Sequence, residues 1–510
     1  LPCAAAVVDP HRRDTVLPFR AYCGAGVAFQ LARALLGDVA LSELDELLVL
    51  AAVATVGDAV PLTGENRSLV RKGLKKLRKS GNPGLDALIR VSGIKTVTAR
   101  SVAFGLVPRI NAAGRMGNAS LAAELFLCGS REEADRIAQE LDHLNARRQK
   151  TEKKILEEAL EKLDENPALL RRRVLILAGE GWDAGVIGIV SARLLERFGK
   201  PVFLLSVNGD QATGSARSVE GFSVFKALQA CAGALIRYGG HSQAGGLTLE
   251  TGKIPAFSKA VSEYADGLET FPVETCRIDR MLKPEEATLE HAECLRRLEP
   301  FGTENPEPVF LMEGMRIETI QPLSGGKHTK LLLEKGGKRA EVLCFGCETA
   351  VFPYPAGFEA DLLVSLEVSE FAGRRSPSLR MKEIRPAGLD EMELIQERHL
   401  AERLCENTAE PDEAKCSLSR EEMIPVYRLL KRLSVYRGDL ETLYFTAFCH
   451  KINYIQFRMA LEVLRELELL DYSEVRRIVT VRENPPAVSL TASRLFRSLQ
   501  RRGREQETEE

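Results

Sequence analysis

The sequence has no apolar run approaching the roughly 20 residues that cross a bilayer. Residues 47–56 come nearest, at half that length, and read as buried core. No membrane partner is therefore expected. The chain also lacks net charge, standing at −2 at pH 7. No overall field draws it to nucleic acid, and any such contact must come from local basic grooves. A disulfide framework is missing as well. The 11 cysteines are odd in number and scattered through apolar segments such as Leu127-Cys128 and Ala230-Cys231, which suits a reducing cytoplasm. Cys344 and Cys347 have the spacing of a metal knuckle without a second pair, so zinc is not expected. No signal peptide is read, and the first residue is Leu1 rather than Met. Residues 4–8 look like a core strand running into a turn at Asp9-Pro10, so the sequence reads as a fragment that starts within a domain.

What is present is ordinary globular material, 45% hydrophobic and 28% charged over 510 residues, enough for several domains. Residues 1–128 alternate short apolar runs with helical stretches, as α/β units do. Helical spacing covers 29–36 and 44–54, with a turn at 57–61. Ser130 and Glu133 make a capping box that opens a long charged helix over 129–165. Its apolar stripe (Ala134, Ile137, Leu141, Leu144) is narrow and residues 147–154 are almost wholly polar, the pattern of a helix bridging two domains. Asn166-Pro167 ends it. A second α/β unit spans 166–272, with strands at 174–178 and 201–206, a helix at 186–198, and a turn at Asn208-Gly209. Residues 273–388 hold five short strands, near 316–320, 330–334, 340–345, 361–368 and 378–384, which suggest an OB-fold barrel. A patternless acidic linker is read at 389–418. Three helices and strand-like 475–481 make a winged-helix-like domain over 419–500, and 501–510 is read as a disordered tail.

Two glycine-rich loops carry the chemistry. Gly214-Ser215-Ala216-Arg217-Ser218 is followed by Gly239-Gly240-His241-Ser242-Gln243-Ala244-Gly245-Gly246. Glycine lets main chain approach a ligand closely. Arginine offers a planar fork for phosphate oxygens, and serine and histidine complete a cradle. Together they suggest a site for a phosphate-bearing substrate. Two further signals are weak alone: Asp58 beyond an apolar helix, a turn cap or a metal ligand, and Arg115 in the small-residue segment 109–116.

Their order along the chain is specific. VGDAVPLTGENR at 56–67, PRINAAGRM at 108–116, the long helix, GEGWDAGVIGIVSARLLERF at 179–198, GSARS at 214–218, GGHSQAGG at 239–246 and PFGTENPEPVF at 300–310 together resemble the RecJ branch of the DHH phosphoesterase superfamily. The likeness covers residues 1–388. It implies an α/β fold in which a partial DHH domain and a DHHA1 domain, joined by the long helix, precede an OB-fold barrel and a winged-helix-like domain. It implies 5′-to-3′ exonuclease action on single-stranded DNA in repair and recombination, by two-metal phosphodiester hydrolysis with Mn²⁺ or Mg²⁺. Asp58 matches a metal ligand. Arg115, Ser215 and Arg217 match residues that hold the 5′-terminal phosphate, with Gly239, Gly240 and His241 at the substrate and His241 near the scissile phosphate. A monomer in the cytoplasm is implied, with 5′-ended single-stranded DNA as partner, together with a repair helicase or single-strand-binding protein.

One departure bears on activity. The first three DHH motifs are absent, leaving Asp58 as the sole matching metal ligand, so the sequence as it stands is expected not to cleave DNA. An uncovered apolar face near residues 4–8 and poor solubility are expected with it. On the barrel, Phe301, Phe310, Phe345 and Phe371 read as core or as base-stacking residues. Lys327, His328, Lys330, Arg374 and Arg375 read as solvated charges or backbone contacts. The alternatives are a catalytically dead single-stranded-DNA-binding or adaptor protein, and a DHH phosphodiesterase on short oligonucleotides or cyclic dinucleotides. Residues 275–388 argue against the second, since such relatives lack an OB-like insertion.

Overall fold

The computed structural model describes residues 6–12, 16–37, 44–269, 275–371, 373–405, 416–449, 451–484 and 487–503. It divides into two compact units: residues 1–159, 173–275 and 294–308 in one, residues 160–172, 276–293 and 309–510 in the other.

The first unit starts with helices α1 (Gly24–Leu36), α2 (Asp45–Gly57), α3 (Gly64–Lys76), α4 (Pro83–Ser92), α5 (Val107–Arg115) and α6 (Ser120–Leu127). Pro83 sits in the first turn of α4, behind an Asn82 side chain that accepts from the Leu85 amide at 2.9 Å, where a missing N–H costs nothing. Val49, Val53, Leu85, Leu88, Leu106 and Leu125 build the core with Ala134, Ile137 and Leu141 of the long helix α7 (Arg131–Glu165). The α/β expectation for this region is corrected, because its described residues form helices and no strand. Residues 6–9 are not a strand and Val8 is exposed; an extended segment needs a sheet edge to satisfy its amides, and no described neighbour offers one. Residues 1–5 lie outside the described residues. Exposed apolar side chains include Val8 and, on α1, Leu31, Leu35 and Leu36.

The sheet of this unit runs β1 (Leu175–Glu180), β2 (Val202–Asn208), β3 (Gln211–Arg217), β5 (Ala244–Glu250), β4 (Arg237–Gly240). β1 and β2 are parallel, joined over the helix α8 (Ile187–Phe198); the other pairings are antiparallel. Gly199, left-handed at φ 61°, ends α8 with its amide on the Leu195 carbonyl, a conformation glycine adopts without a Cβ penalty. Helices α9 (Val224–Ala230) and α10 (Ile254–Asp266) cover one face, where Phe203, Phe222, Val224 and Phe257 pack.

In the second unit, β7 (Phe310–Leu323), β8 (His328–Lys335), β9 (Lys338–Cys344), β10 (Glu359–Phe371) and β11 (Arg374–Pro386) follow β6 (Arg280–Met281). Antiparallel pairing of β10 with β7 and a short parallel contact of β11 with β9 close a five-stranded barrel. All five expected strands are present, each longer than its apolar run. The barrel is filled by Met312, Ile317, Leu331, Leu333, Val342, Leu362 and Val364.

The expected linker is corrected by helix α11 (Glu391–Cys405), which buries Ala401 and Leu404 in the C-terminal core, with Cys416 and Leu418 beyond the undescribed 406–415. Its acidic residues hid the few apolar ones that dock it. The remaining helices are α12 (Arg420–Leu433), α13 (Leu440–Ala447), α14 (Tyr454–Glu466) and α15 (Arg494–Gly503), with the sheet order β12 (Val435–Arg437), β14 (Ile478–Val481), β13 (Leu470–Ser473). α15 carries the chain to Gly503 where a tail is expected from 501; residues 504–510 lie outside the described residues.

The third helix of this domain, α14, does not present a groove-reading face. Every residue from Tyr454 to Leu464 is buried. Arg458 pairs with Glu474 at 2.5 Å, and the Gln456 amide donates to the Ser417 carbonyl at 2.8 Å. A recognition helix must leave its polar side chains free for base edges. Arg465, which pairs with Glu462 and is part-exposed, is the nearest candidate. Arg465→Ala is expected to change binding of single- or double-stranded DNA by less than about twofold, the ordinary value of an exposed ion pair. A filter-binding titration checks it.

Candidate phosphate and nucleic-acid site

The glycine loops and the polar stretch of α7 meet in the first unit. Arg217 is the last residue of β3, two along from Ser215, and both point to the same side of the strand. Its guanidinium donates to Ser215 Oγ at 3.2 Å and to the Ala216 carbonyl at 2.7 Å. Beneath them, the Ser191 hydroxyl of α8 donates to the Ile187 carbonyl at 2.8 Å and lies 3.2 Å from the Ser215 carbonyl.

Gly188, in the first turn of α8, makes room for this pair. A Cβ there would stand 3.0 Å from Ser215 Oγ and 3.2 Å from an Arg217 nitrogen. Gly185 does the same for Arg115: a Cβ would lie 2.5 Å from the Arg115 carbonyl oxygen, while the Arg115 guanidinium donates back to the Gly185 carbonyl at 3.0 Å. The loop is fixed by Asp183, whose carboxylate accepts from the Gly185 amide at 2.8 Å. Gly185 and Gly188 were legible in the segment 179–198 only as part of a pattern. Their purpose needs the neighbours across the fold.

Arg217 is partly buried, and loss of water together with the Arg115 charge lowers its pKa. No acidic partner among the described residues offsets this. Ser218, the last residue of the same loop, has a buried hydroxyl with no hydrogen-bond partner among them. The structure thus joins Arg115, Ser215 and Arg217 in one place, with donors in excess of acceptors. Such a group, beside the start of a helix, suits a phosphate.

The Gly239-Gly240-His241 loop connects β4 to β5 beside this group. Arg217 is opposite Ala244, and the His241 amide donates to the Ala244 carbonyl at 2.8 Å. Gly240 takes φ 146°, and a Cβ there would lie 2.3 Å from the same carbonyl oxygen, so its part is in the tight return of the hairpin. A Cβ on Gly239 would meet nothing within 4 Å. The His241 side chain is exposed, without a partner among the described residues.

Asp58 lies at the C-terminal end of α2. It caps α2, with its amide on the Ala54 carbonyl at 2.8 Å, and its carboxylate has no partner among the described residues. A Cβ on Gly57 would touch Val107 at 3.1 Å, and Val107 begins the helix that ends in Arg115. Val107 and Arg115 are the two ends of this nine-residue helix, about 12 Å apart along its axis. Among the described residues no group of three or more histidines, cysteines, aspartates or glutamates is placed to hold a metal. Asp58 alone does not fit a two-metal site. Downstream of it, the Leu62 amide donates to the Thr303 carbonyl at 2.7 Å, and Arg67 reaches the carbonyls of Arg297 and Leu298 at 3.0 and 2.9 Å. These bonds dock the 300–308 segment beside the Asp58 turn.

On the barrel, Phe345 is 52% exposed, flanked by the Arg380 guanidinium 4.9 Å from its centroid and by the His328 ring. Phe310 is buried. An exposed ring beside an arginine suits base stacking. Lys330 and Arg375 are paired, with Glu341 at 2.7 Å and Glu293 at 2.9 Å. Cys344 is buried against Met381, and burial pushes its thiol up to about 12, which does not suit a metal thiolate.

A DHHA1 domain model matches residues 171–267 and a RecJ OB domain model matches residues 278–383. The single-stranded-DNA-specific exonuclease RecJ of Escherichia coli (strain K12) is 35% identical over 412 residues, covering 76% of this chain and 71% of that protein. Its counterpart from Bacillus subtilis (strain 168) is 34% identical over 407 residues, 78% of this chain and 50% of that protein. The crystal structure of RecJ from Thermus thermophilus in complex with Mg²⁺ superposes with a TM-score of 0.65 at 34% identity, over 73% of this chain and 57% of that one. The Mn²⁺ complex from the same organism gives 0.64. The chain therefore spans between about half and seven-tenths of the length of these relatives.

Proposed function

The chain belongs to the RecJ family of single-stranded-DNA-specific exonucleases, and from that premise we propose that it serves 5′-to-3′ degradation of single-stranded DNA, gripping the 5′-terminal phosphate between Arg115, Ser215 and Arg217. One observation carries the reading: these side chains come from α5 and β3, far apart in sequence, yet share a site with an uncompensated positive charge. A terminal phosphate monoester brings up to two negative charges and three acceptor oxygens, which the excess of donors matches better than an internal diester does.

His241 and the Gly239-Gly240 turn sit beside Arg217 and would meet the strand next to its end. Asp58 is the position at which the relatives' Mg²⁺ or Mn²⁺ would be held in part. The exposed Phe345 with Arg380 offers a stacking place for bases on the barrel. A monomer working in the cytoplasm, with a repair helicase or a single-strand-binding protein as partner, completes the reading on the family resemblance. Among the described residues no helix is long and apolar enough to cross a membrane.

The test is a titration with two versions of one oligonucleotide. The 5′-phosphorylated single strand is expected to bind about 100-fold or more tighter than the 5′-hydroxyl strand, from two or more charge-assisted hydrogen bonds. Equal affinities would overturn the terminal-phosphate assignment. A single-strand-binding or adaptor role is the alternative reading. Tight 5′-phosphate-dependent binding without product formation in Mn²⁺ or Mg²⁺ would select it.

A further inference from the structure

One face of the polar middle of α7 is withdrawn from solvent. Asn145 and Glu152 are buried there, and only 12% of the Arg148 side chain is exposed. Arg148 is held by Glu152 one turn on, at 3.3 Å, and the same carboxylate pairs with Arg193 of α8. The Arg148 Nε donor is nonetheless buried without an acceptor among the described residues.

We propose that Arg148 is a further ligand of the terminal phosphate, delivered by α7 and anchored by Glu152, which also holds Arg193 of α8. The proposal rests on the phosphate reading above and names a residue that neither the glycine loops nor the matched domains contain.

Three observations support it. The first is charge: Arg115, Arg148 and Arg193 stand near enough to repel, and Arg115 also repels Arg217, yet among the described residues Glu152 is the one carboxylate paired with any of the four. The second is burial, which with these repulsions lowers the pKa of Arg148 despite the attraction of Glu152. A group of like charges of this kind lacks an anion more than it lacks a base. The third is rigidity. α7 is tied to α5 through Asp142 and Arg109 at 2.8 Å, and to the loop before α8 through Glu158 and Trp182 at 2.7 Å. Arg148 is therefore presented on a braced helix, and the planar fork need not be ordered when the anion arrives.

Inorganic phosphate is the probe, added to the whole chain at constant ionic strength with chloride as the control, and its affinity is read by calorimetry and by the rise in melting temperature. Arg148→Met, which keeps the stem and removes the charge, is expected to weaken phosphate about tenfold, the loss of one charge-assisted bond. Arg148→Lys should recover part of that loss, and Arg147→Met, exposed on the same helix, should leave affinity unchanged. If the Arg148→Met protein fails to fold by circular dichroism, the Lys variant decides: affinity equal to that of the parent overturns the proposal. So does a folded Arg148→Met protein with unaltered affinity. A parent protein that binds no phosphate removes the terminal-phosphate reading together with this one, whereas parent binding with an indifferent Arg148 removes this one alone.

Discussion

Arg217→Ala is expected to weaken binding of a 5′-phosphorylated single strand by about 100-fold while changing the 5′-hydroxyl strand by less than about threefold. The magnitude follows from removing a partly buried guanidinium whose bonds to an anion are charge-assisted, worth about 1.5–3 kcal/mol each. Arg217 is already relieved of water and has no carboxylate partner of its own among the described residues, so little of its interaction with an anion is offset by a lost ion pair. Folding should not suffer, since removing an uncompensated charge beside Arg115 takes away a repulsion. Equal losses on the two strands, measured by fluorescence anisotropy, would mean that Arg217 contacts the backbone generally. An unchanged affinity with an unchanged melting curve would remove it from the site.

Gly185→Ala is expected to destabilise the first unit by about 2–3 kcal/mol and to lower phosphate affinity with it, the usual size of an overpacking penalty that rigid neighbours cannot absorb. The new Cβ would lie 2.5 Å from the Arg115 carbonyl, which is main chain at the end of α5 and cannot rotate away. Gly188→Ala is the contrasting case. Its Cβ would meet Ser215 Oγ at 3.0 Å and an Arg217 nitrogen at 3.2 Å, and the arginine end moves at small cost. Gly188→Ala should therefore keep most of the stability and lose phosphate affinity. Chemical denaturation and phosphate titration of the two variants separate these outcomes; equal stability losses would show that both contacts are rigid.

Much of the architecture was legible because apolar periodicity and turn chemistry agree there. The α7 boundaries followed from Ser130 and Asn166-Pro167, and the barrel strands from alternating runs that the pleat requires. The misreadings had local causes. Of the run 4–8 that read as a strand from apolar content alone, the described residues 6–8 do not form one, since a strand exists only where another chain segment satisfies its amides. The acidic 389–418 read as a linker because Ala401 and Leu404, the residues that dock α11, are two among many charges.

The candidate site divides the same way. Arg115, Ser215 and Arg217 stood out because glycine-lined arginines are uncommon and their order matched a family. Arg148 did not, since one arginine among many in a charged helix carries no signal by itself. Sequence alone determined the residue types, the helix and strand runs, and the order of motifs, all of which depend on neighbours a few positions away. Tertiary structure alone decided which polar residues lose their water and which cations face one another. Burial and Coulomb repulsion act between groups that the chain holds apart and only the fold brings within reach.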